Sequence, residues 1–356
     1  SLSVSITDKN GRRVSRSDTL SVCSAPYRVT LSSTGGSLTT LYGVPNSSTF
    51  SGSSVVYYIN PNSQQPGVCY ARPNRYLGGN TGNRFVNDID HFTYVGPADI
   101  WDPDKGFLVQ STNWSSYRLN FPTTGADGLY FDLDISGVDA SQLTWSVVTR
   151  GAIRATVSWT RPRSDSHRDP IWGTVQHDSW ISDKSKNVTR VTLNGPRADS
   201  TRIQSSNPSP LIVPSLPQTF VLVGSDRSGN EVRYGFVLKQ WFVHRGDKEG
   251  TLYEQSSWCS GLGYRTSQVK DLTNASGGYW QGAMPSSGFA GYQRRIGAGF
   301  FTEWGYIPHY ASTGFLADSF WTGDHILNLG FTVYPASGDV GGYDVFRHHY
   351  GLCTVP

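Results

Sequence analysis

The densest carboxylate clusters in the chain are Asn87-Asp-Ile-Asp-His-Phe and Asp99-Ile-Trp-Asp102-Pro-Asp104. Hard oxygen ligands at such spacing can hold calcium, and two carboxyl groups flanking a glycosidic bond can act as acid and base. Neither cluster has the form of an EF-hand loop, and Asp is equally a turn former. The sequence therefore assigns no metal, no cofactor and no catalytic residue. A carbohydrate-active enzyme using the carboxylates of residues 88–104 stands as an alternative. No nucleophile elbow, phosphate-binding loop, His-Glu-x-x-His or dinucleotide fingerprint occurs. His309, His325, His348 and His349 crowd toward the C-terminus, at spacings that match no metal motif.

Two further stretches suit recognition rather than catalysis. Arg245-Gly-Asp247 is an integrin-type tripeptide, although Gly-Asp is also ordinary turn chemistry. Between Gly299 and Tyr310 the residues Phe300, Phe301, Trp304, Tyr306, His309 and Tyr310 are aromatic. Gly305 and Pro308 make the second half of that stretch loop-like. Trp304, Tyr306 and Tyr310 are expected to form a partly exposed, partner-facing patch, since rigid aromatics dominate interfaces.

The elements that must position these residues are legible from pattern. A strand is expected over Phe236–Val243. Leu252, Cys259 and Leu262 then recur at helical intervals, and Gly261 and Gly263 supply left-handed positions that end a helix. Thr266 or Ser267 caps a second short helix carrying Val269 and Leu272. Short strands follow over Ile296–Phe301, Phe320–Thr322, Leu329–Tyr334 and Tyr350–Val355. An even number of widely spaced cysteines without Cys-x-x-Cys favours disulfides over zinc, and an oxidising compartment. By position, Cys23 pairs with Cys69 and Cys259 with Cys353. The second bond would tie the first helix to the last strand, a closure worth about 4–5 kcal/mol.

Strand, Cys-bearing helix, second helix, loop-rich middle and Cys-bearing final strand together resemble a C-type-lectin-like domain. The residues that carry the resemblance are Trp258-Cys259-Ser-Gly-Leu-Gly-Tyr-Arg-Thr, Val269-Lys-Asp-Leu272, Phe320-Trp321-Thr-Gly323 and Tyr350-Gly-Leu-Cys353. The chain looks like the Ig-plus-lectin-like tips of bacterial intimin/invasin adhesins and related exported exoproteins. Calcium-dependent lectins of this fold carry Glu-Pro-Asn or Gln-Pro-Asp and Trp-Asn-Asp segments, which are missing here. The resemblance thus implies the calcium-free, protein-binding branch, with sugar stacking on Trp280, Trp304 or Tyr310 as a further option.

Upstream, short strands recur between clusters of Gly, Pro, Asn and Ser, as in sandwiches. They are expected over Leu2–Thr7, Leu20–Cys23, Tyr27–Leu31, Ser37–Tyr42 and Val55–Ile59. A second set covers Leu129–Ile135, Leu143–Thr149, Ala152–Thr160, Val188–Leu193, Leu211–Val213, Thr219–Val223 and Glu231–Tyr234. Residues 161–172 read as a long polar surface loop. Asp226-Arg-Ser-Gly-Asn-Glu-Val echoes Asp8-Lys-Asn-Gly-Arg-Arg-Val, which hints at two similar units.

Charged residues make up 16% and aromatics 13% of the 356, a balance that points to β structure. A net charge of +3 without a basic stripe gives no case for nucleic acid. No apolar run is long enough to span a membrane, and an export signal or anchor is expected to lie in a removed N-terminal transporter region. The expected architecture is mainly β: Ig-like sandwiches over 1–115 and 116–235, then a small α+β C-type-lectin-like domain over 236–356. The expected function is a monomeric extracellular or bacterial-surface adhesin that is not an enzyme. Its partner would be a host or bacterial cell-surface protein or glycan, met through Trp304, Tyr306, Tyr310, Trp280, Arg245 and Asp247. A structural spacer whose partner is its own outer-membrane transporter is the other alternative.

Overall fold

The computed structural model describes residues 1–18, 20–61, 65–76 and 94–356. Its contacts fall into two compact units: Ser1–Gly67 with Ser136–Val138, and Val68–Ile135 with Asp139–Pro356. The fold is mainly β, as its composition requires.

The first unit holds β1 (Leu2–Thr7), β2 (Tyr27–Ser33), β3 (Gly36–Thr39), β4 (Ser47–Phe50) and β5 (Ser53–Ile59). β1, β2 and β5 form an antiparallel sheet, and β3 pairs with β4. After β1 the chain turns on Asp8, whose carboxylate accepts from the amides of Asn10 and Arg12 while Gly11 adopts φ +80°. Asp226 repeats this turn in the second unit, accepting from the amides of Ser228 and Asn230 with Gly229 at φ +85°. The sequence echo is therefore one of identical Asx chemistry. Where a strand was expected over Leu20–Cys23, the Ser21 hydroxyl accepts from the Cys23 amide and caps a 3₁₀ turn, Val22–Ser24.

The second unit begins with β6 (Gly67–Arg72), β7 (Trp101–Asp102), β8 (Gly106–Leu108), β9 (Thr124–Ala126), β10 (Tyr130–Ser136) and β11 (Thr144–Thr149). It continues through β12 (Arg154–Thr160), β13 (Ser166–Asp169), β14 (Gly173–Gln176), β15 (Val188–Asn194), β16 (Gln218–Ser225) and β17 (Glu231–Leu238). A six-stranded sheet, β12-β15-β10-β6-β8-β7, packs on the three-stranded sheet β11-β16-β17 in an Ig-like sandwich. Alternation makes the core: Phe131, Val191, Leu193, Phe220, Leu222 and Phe236 are buried, while their strand neighbours point away. The rings of Phe131 and Phe236 meet edge-on at 5.8 Å between the two sheets. Each such side chain contributes about 1.5–3 kcal/mol on burial.

The C-terminal module contains β18 (Gln240–Gly250), β19 (Arg265–Thr266), β20 (Phe320–Ile326), β21 (Leu329–Val333), β22 (Val340–Asp344) and β23 (His349–Val355). β18 and β23 run antiparallel from Trp241↔Val355, which brings the two ends of the module together. The helix Leu252–Leu262 starts at a capping box between Thr251 and Glu254 and ends at Gly263, φ +84°. It buries Leu252, Gln255, Trp258, Cys259 and Leu262 against the sheet. Cys259 is bonded to Cys353 of β23, and no described cysteine is free; Cys23 and Cys69 are also disulfide-bonded. The order strand, Cys-bearing helix, short helix Val269–Leu272, loop-rich middle and Cys-bearing strand is the lectin-like order.

Several expectations need correction. β6, β7 and β8 share a sheet with β10, β12 and β15, so the expected boundary at 115/116 falls inside a sheet. The boundary at 235/236 falls inside β17. The polar stretch 161–172 is not a loop throughout. It enters the β13–β14 hairpin, where buried Asp169 accepts from the amides of Ile171, Trp172 and Ala317. No strand forms over residues 211–213, whose backbone instead bonds Leu262 and Tyr264 beside the helix end. The second short helix is preceded by Gln268, not by Thr266 or Ser267, and Gly261 lies within the first helix rather than ending it. Over residues 296–301 a strand was expected, but Gly299 at φ +110° opens a helical turn, Phe300–Trp304.

Candidate functional site

The aromatic segment chosen from sequence is core. Trp304 is 0% and Tyr310 1% exposed. The Trp304 indole donates to the Thr124 carbonyl at 3.0 Å and packs edge-on against Phe121 at 4.9 Å. The Tyr310 hydroxyl donates to the Trp304 carbonyl and accepts from the Asn74 amide. Tyr306 is half-buried, its phenol held well above the usual range by burial, and its carbonyl accepts from Asn74. These rings are concentrated because they fill the seam between the sandwich and the lectin-like module. An exposed patch and a seam need the same residues, and only packing separates them.

The integrin-type tripeptide is likewise not presented as a unit. Arg245 is 4% exposed and donates to the Ile203 and Ser205 carbonyls and to Gln255 Oε1. Asp247 is exposed, but its arginine faces inward. Trp280 is half-buried; beside it Tyr279, Met284 and Phe289 are exposed on a loop pinned by buried Asn274.

The candidate acid, base and ligand groups are also dispersed. Asp102 accepts from the amides of Asp104 and Lys105, which makes it a turn residue. Asp88 and Asp90 lie outside the described residues. His309 is half-buried beside Tyr76 and bonds Ser179 through Nδ1; loss of solvent pushes its imidazole down to about 4. His349 meets Trp321 edge-on and the Tyr343 ring at a tilt, and His325 and His348 are exposed. Among the described residues no three His, Cys, Asp or Glu side chains gather as metal ligands.

What the lectin-like module does present is an apolar end. Ile326 pairs with Leu329 across a two-residue turn, Leu327-Asn328, at the apex of the β20–β21 hairpin. Leu327 is 87% exposed and adopts φ +53°. Both favoured two-residue hairpin turns need positive φ at that first position, and glycine or asparagine normally supplies it. A branched apolar residue there costs about 1–2 kcal/mol and gains nothing from burial. The Val345 amide bonds the Asn328 carbonyl, and the Leu252 amide bonds the Val345 carbonyl, so the hairpin apex, the 344–346 turn and the helix start are stitched together. Leu252, Trp321 and Val345 form a buried cluster underneath. Around the rim Ile326, Leu329, Tyr343, Tyr253 and Phe346 are exposed, the last two with rings 6.3 Å apart. Sequence reading missed this end. The one available signal was a two-residue turn written Leu-Asn where Asn-Gly is usual.

No family model and no curated protein matches the chain. Among solved structures, invasin, described as a bacterial integrin-binding protein, aligns over 100% of this chain at 13% identity and a TM-score of 0.43. This chain spans 55% of that one, about half its length. A C-terminal 282-residue fragment of intimin, in complex with the intimin-binding domain of the translocated intimin receptor, aligns over 92% of this chain and 93% of that one. Its identity is 9% and its TM-score 0.41. An intimin mutant from EHEC O157:H7 aligns over 66% of this chain and 88% of that one, at 13% identity and a TM-score of 0.31. No helix among the described residues is long and apolar enough to cross a membrane.

Proposed function

We propose that this protein is a bacterial surface or exported adhesin whose lectin-like tip binds a protein on a host or other cell surface through the hairpin end at Leu327. The observation that carries the reading is a strained, exposed leucine at the apex of a rigid hairpin. Folding alone selects against that residue, since glycine or asparagine there would be more stable and more soluble. A large convex apolar anchor ringed by Tyr253, Tyr343 and Phe346 suits an apolar recess on a protein, the arrangement in which anchors dominate affinity. Disulfides fit the extracellular setting.

Cultured epithelial cells and labelled protein test it. Saturable binding that disappears when the cells are treated with protease, and survives removal of their glycans, supports a protein receptor. Binding that survives protease and is lost with the glycans would sink it.

A further inference from the structure

A cavity of about 420 Å³ opens on the outer face of the sandwich, beside residues 311–312 of the tip. It lies apart from the hairpin end, and its lining mixes arginine, threonine and asparagine side chains with the apolar surface of Tyr130 and Ala311. Strand alternation makes its floor: Val191 and Leu193 of β15 face the core, so Arg190, Thr192 and Asn194 face the cavity. Tyr130 of β10 stands opposite Thr192.

The arginines around this cavity fall into two kinds. Arg190 and Arg163 are already used. Arg190 bonds Asp132 at 2.8 Å and Asp178 at 2.7 Å, and its guanidinium lies 4.2 Å over the Tyr130 ring. Arg163 is forked onto Asp165. Arg161 and Arg197 are not used up. Arg161 forms no ion pair among the described residues, although it lines the cavity. Arg197 spends Nη1 on the Ser312 carbonyl at 3.0 Å and on an ion pair at 3.6 Å with Asp127, a carboxylate that also lines the cavity, which leaves its other nitrogens for a ligand. The two arginines therefore offer free N–H groups beside the hydroxyls of Thr160 and Thr192.

Backbone strain marks the same place. Of the three described non-glycine residues with positive φ, Ser312 (+66°) lines the cavity and Asp178 (+51°) anchors its floor through Arg190 and Tyr130. Such conformations persist only where surrounding structure enforces them, and they cluster at binding sites.

We propose that this cavity binds an acidic saccharide, a sugar ring bearing a carboxylate or sulfate. A guanidinium fork matches either oxyanion in a bidentate way, and threonine hydroxyls with the Asn194 amide match ring hydroxyls. A volume of this order suits a small ligand rather than a polymer segment.

The intact protein is titrated at low salt with glucuronic acid, N-acetylneuraminic acid and glucosamine-6-sulfate, with glucose and glutarate as controls. Amide and side-chain NMR signals of Arg161, Thr192 and Arg197 report occupancy. At least one acidic sugar should shift them saturably, and glucose should not. Arg161→Gln, an exposed residue with no internal partner, should weaken that binding by about tenfold, whereas Leu327→Asn should leave it unchanged. Which sugar acts identifies carboxylate or sulfate as the anion. No response to any acidic sugar, glutarate binding as tightly as the sugars, or an unchanged affinity in Arg161→Gln would each overturn the assignment.

Discussion

Glu303 accepts hydrogen bonds from both the amide and the hydroxyl of Thr124, 179 residues earlier in the chain. The same buried carboxylate also accepts from the amide and hydroxyl of Thr123 and from the Gly297 amide. Thr124 belongs to β9, which runs parallel to β18. One side chain thus fastens the segment that links β8 to β10 of the six-stranded sheet to the middle of the lectin-like module. Burial raises the carboxyl's pKa, and these donors oppose that shift.

Glu303→Gln should therefore destabilise the protein by about 2–4 kcal/mol, since the amide nitrogen would face donors in a dry site. A urea midpoint measurement checks this. An unchanged midpoint would mean that the donors find other acceptors.

The aromatic segment makes a second prediction. Trp304→Ala should cost about 3–5 kcal/mol through the cavity it leaves. Tyr310→Phe should cost about 1–3 kcal/mol by orphaning the Asn74 amide. Differential scanning calorimetry reads both. A neutral Trp304→Ala would restore the exposed-patch reading.

How much was legible follows from which signals were local. Helix ends, Asx turns and strand alternation are written within a few residues, so the helix at Thr251, the turns at Asp8 and Asp226 and the strands around Phe131 could be read. The association of β6–β8 with β10 could not, because pairing between distant strands leaves no local mark. The fate of Trp304, Tyr310 and Arg245 was hidden for the same reason: their partners Thr124, Asn74, Ile203 and Ser205 are remote in sequence. Composition flagged the aromatic segment but not whether it packs inside or outside. The exposed end at Leu327 needed a backbone angle to be noticed.

Acid sensitivity is a third prediction. His244 Nε2 bonds the Thr313 carbonyl and Nδ1 accepts from the Gly246 amide, an arrangement that requires the neutral ring. Burial pushes this imidazole from 6.5 down to about 4. The unfolded chain then binds the proton first. The contribution of His244 is complete above pH 6.5 and is lost as pH falls toward about 4, a change of about 3 kcal/mol. An NMR titration in which His244 titrates near its ordinary value would refute this.

The Cys259–Cys353 bond closes a loop across 94 residues of sequence separation. Replacing both cysteines with alanine should lower stability by about 3–5 kcal/mol. Non-reducing peptide mapping should recover these two peptides linked. Any other partner for Cys259 would break the account of the module.

The central claim is that Leu327 is kept for binding at the expense of folding. Asparagine accepts positive φ more readily than leucine, so Leu327→Asn should leave the melting temperature unchanged or raise it. Cell binding by the same preparation should fall by at least tenfold, about 1.4 kcal/mol or more. Binding of Leu327→Asn equal to that of the parent, at equal stability, would contradict the account and move the receptor site elsewhere on the chain.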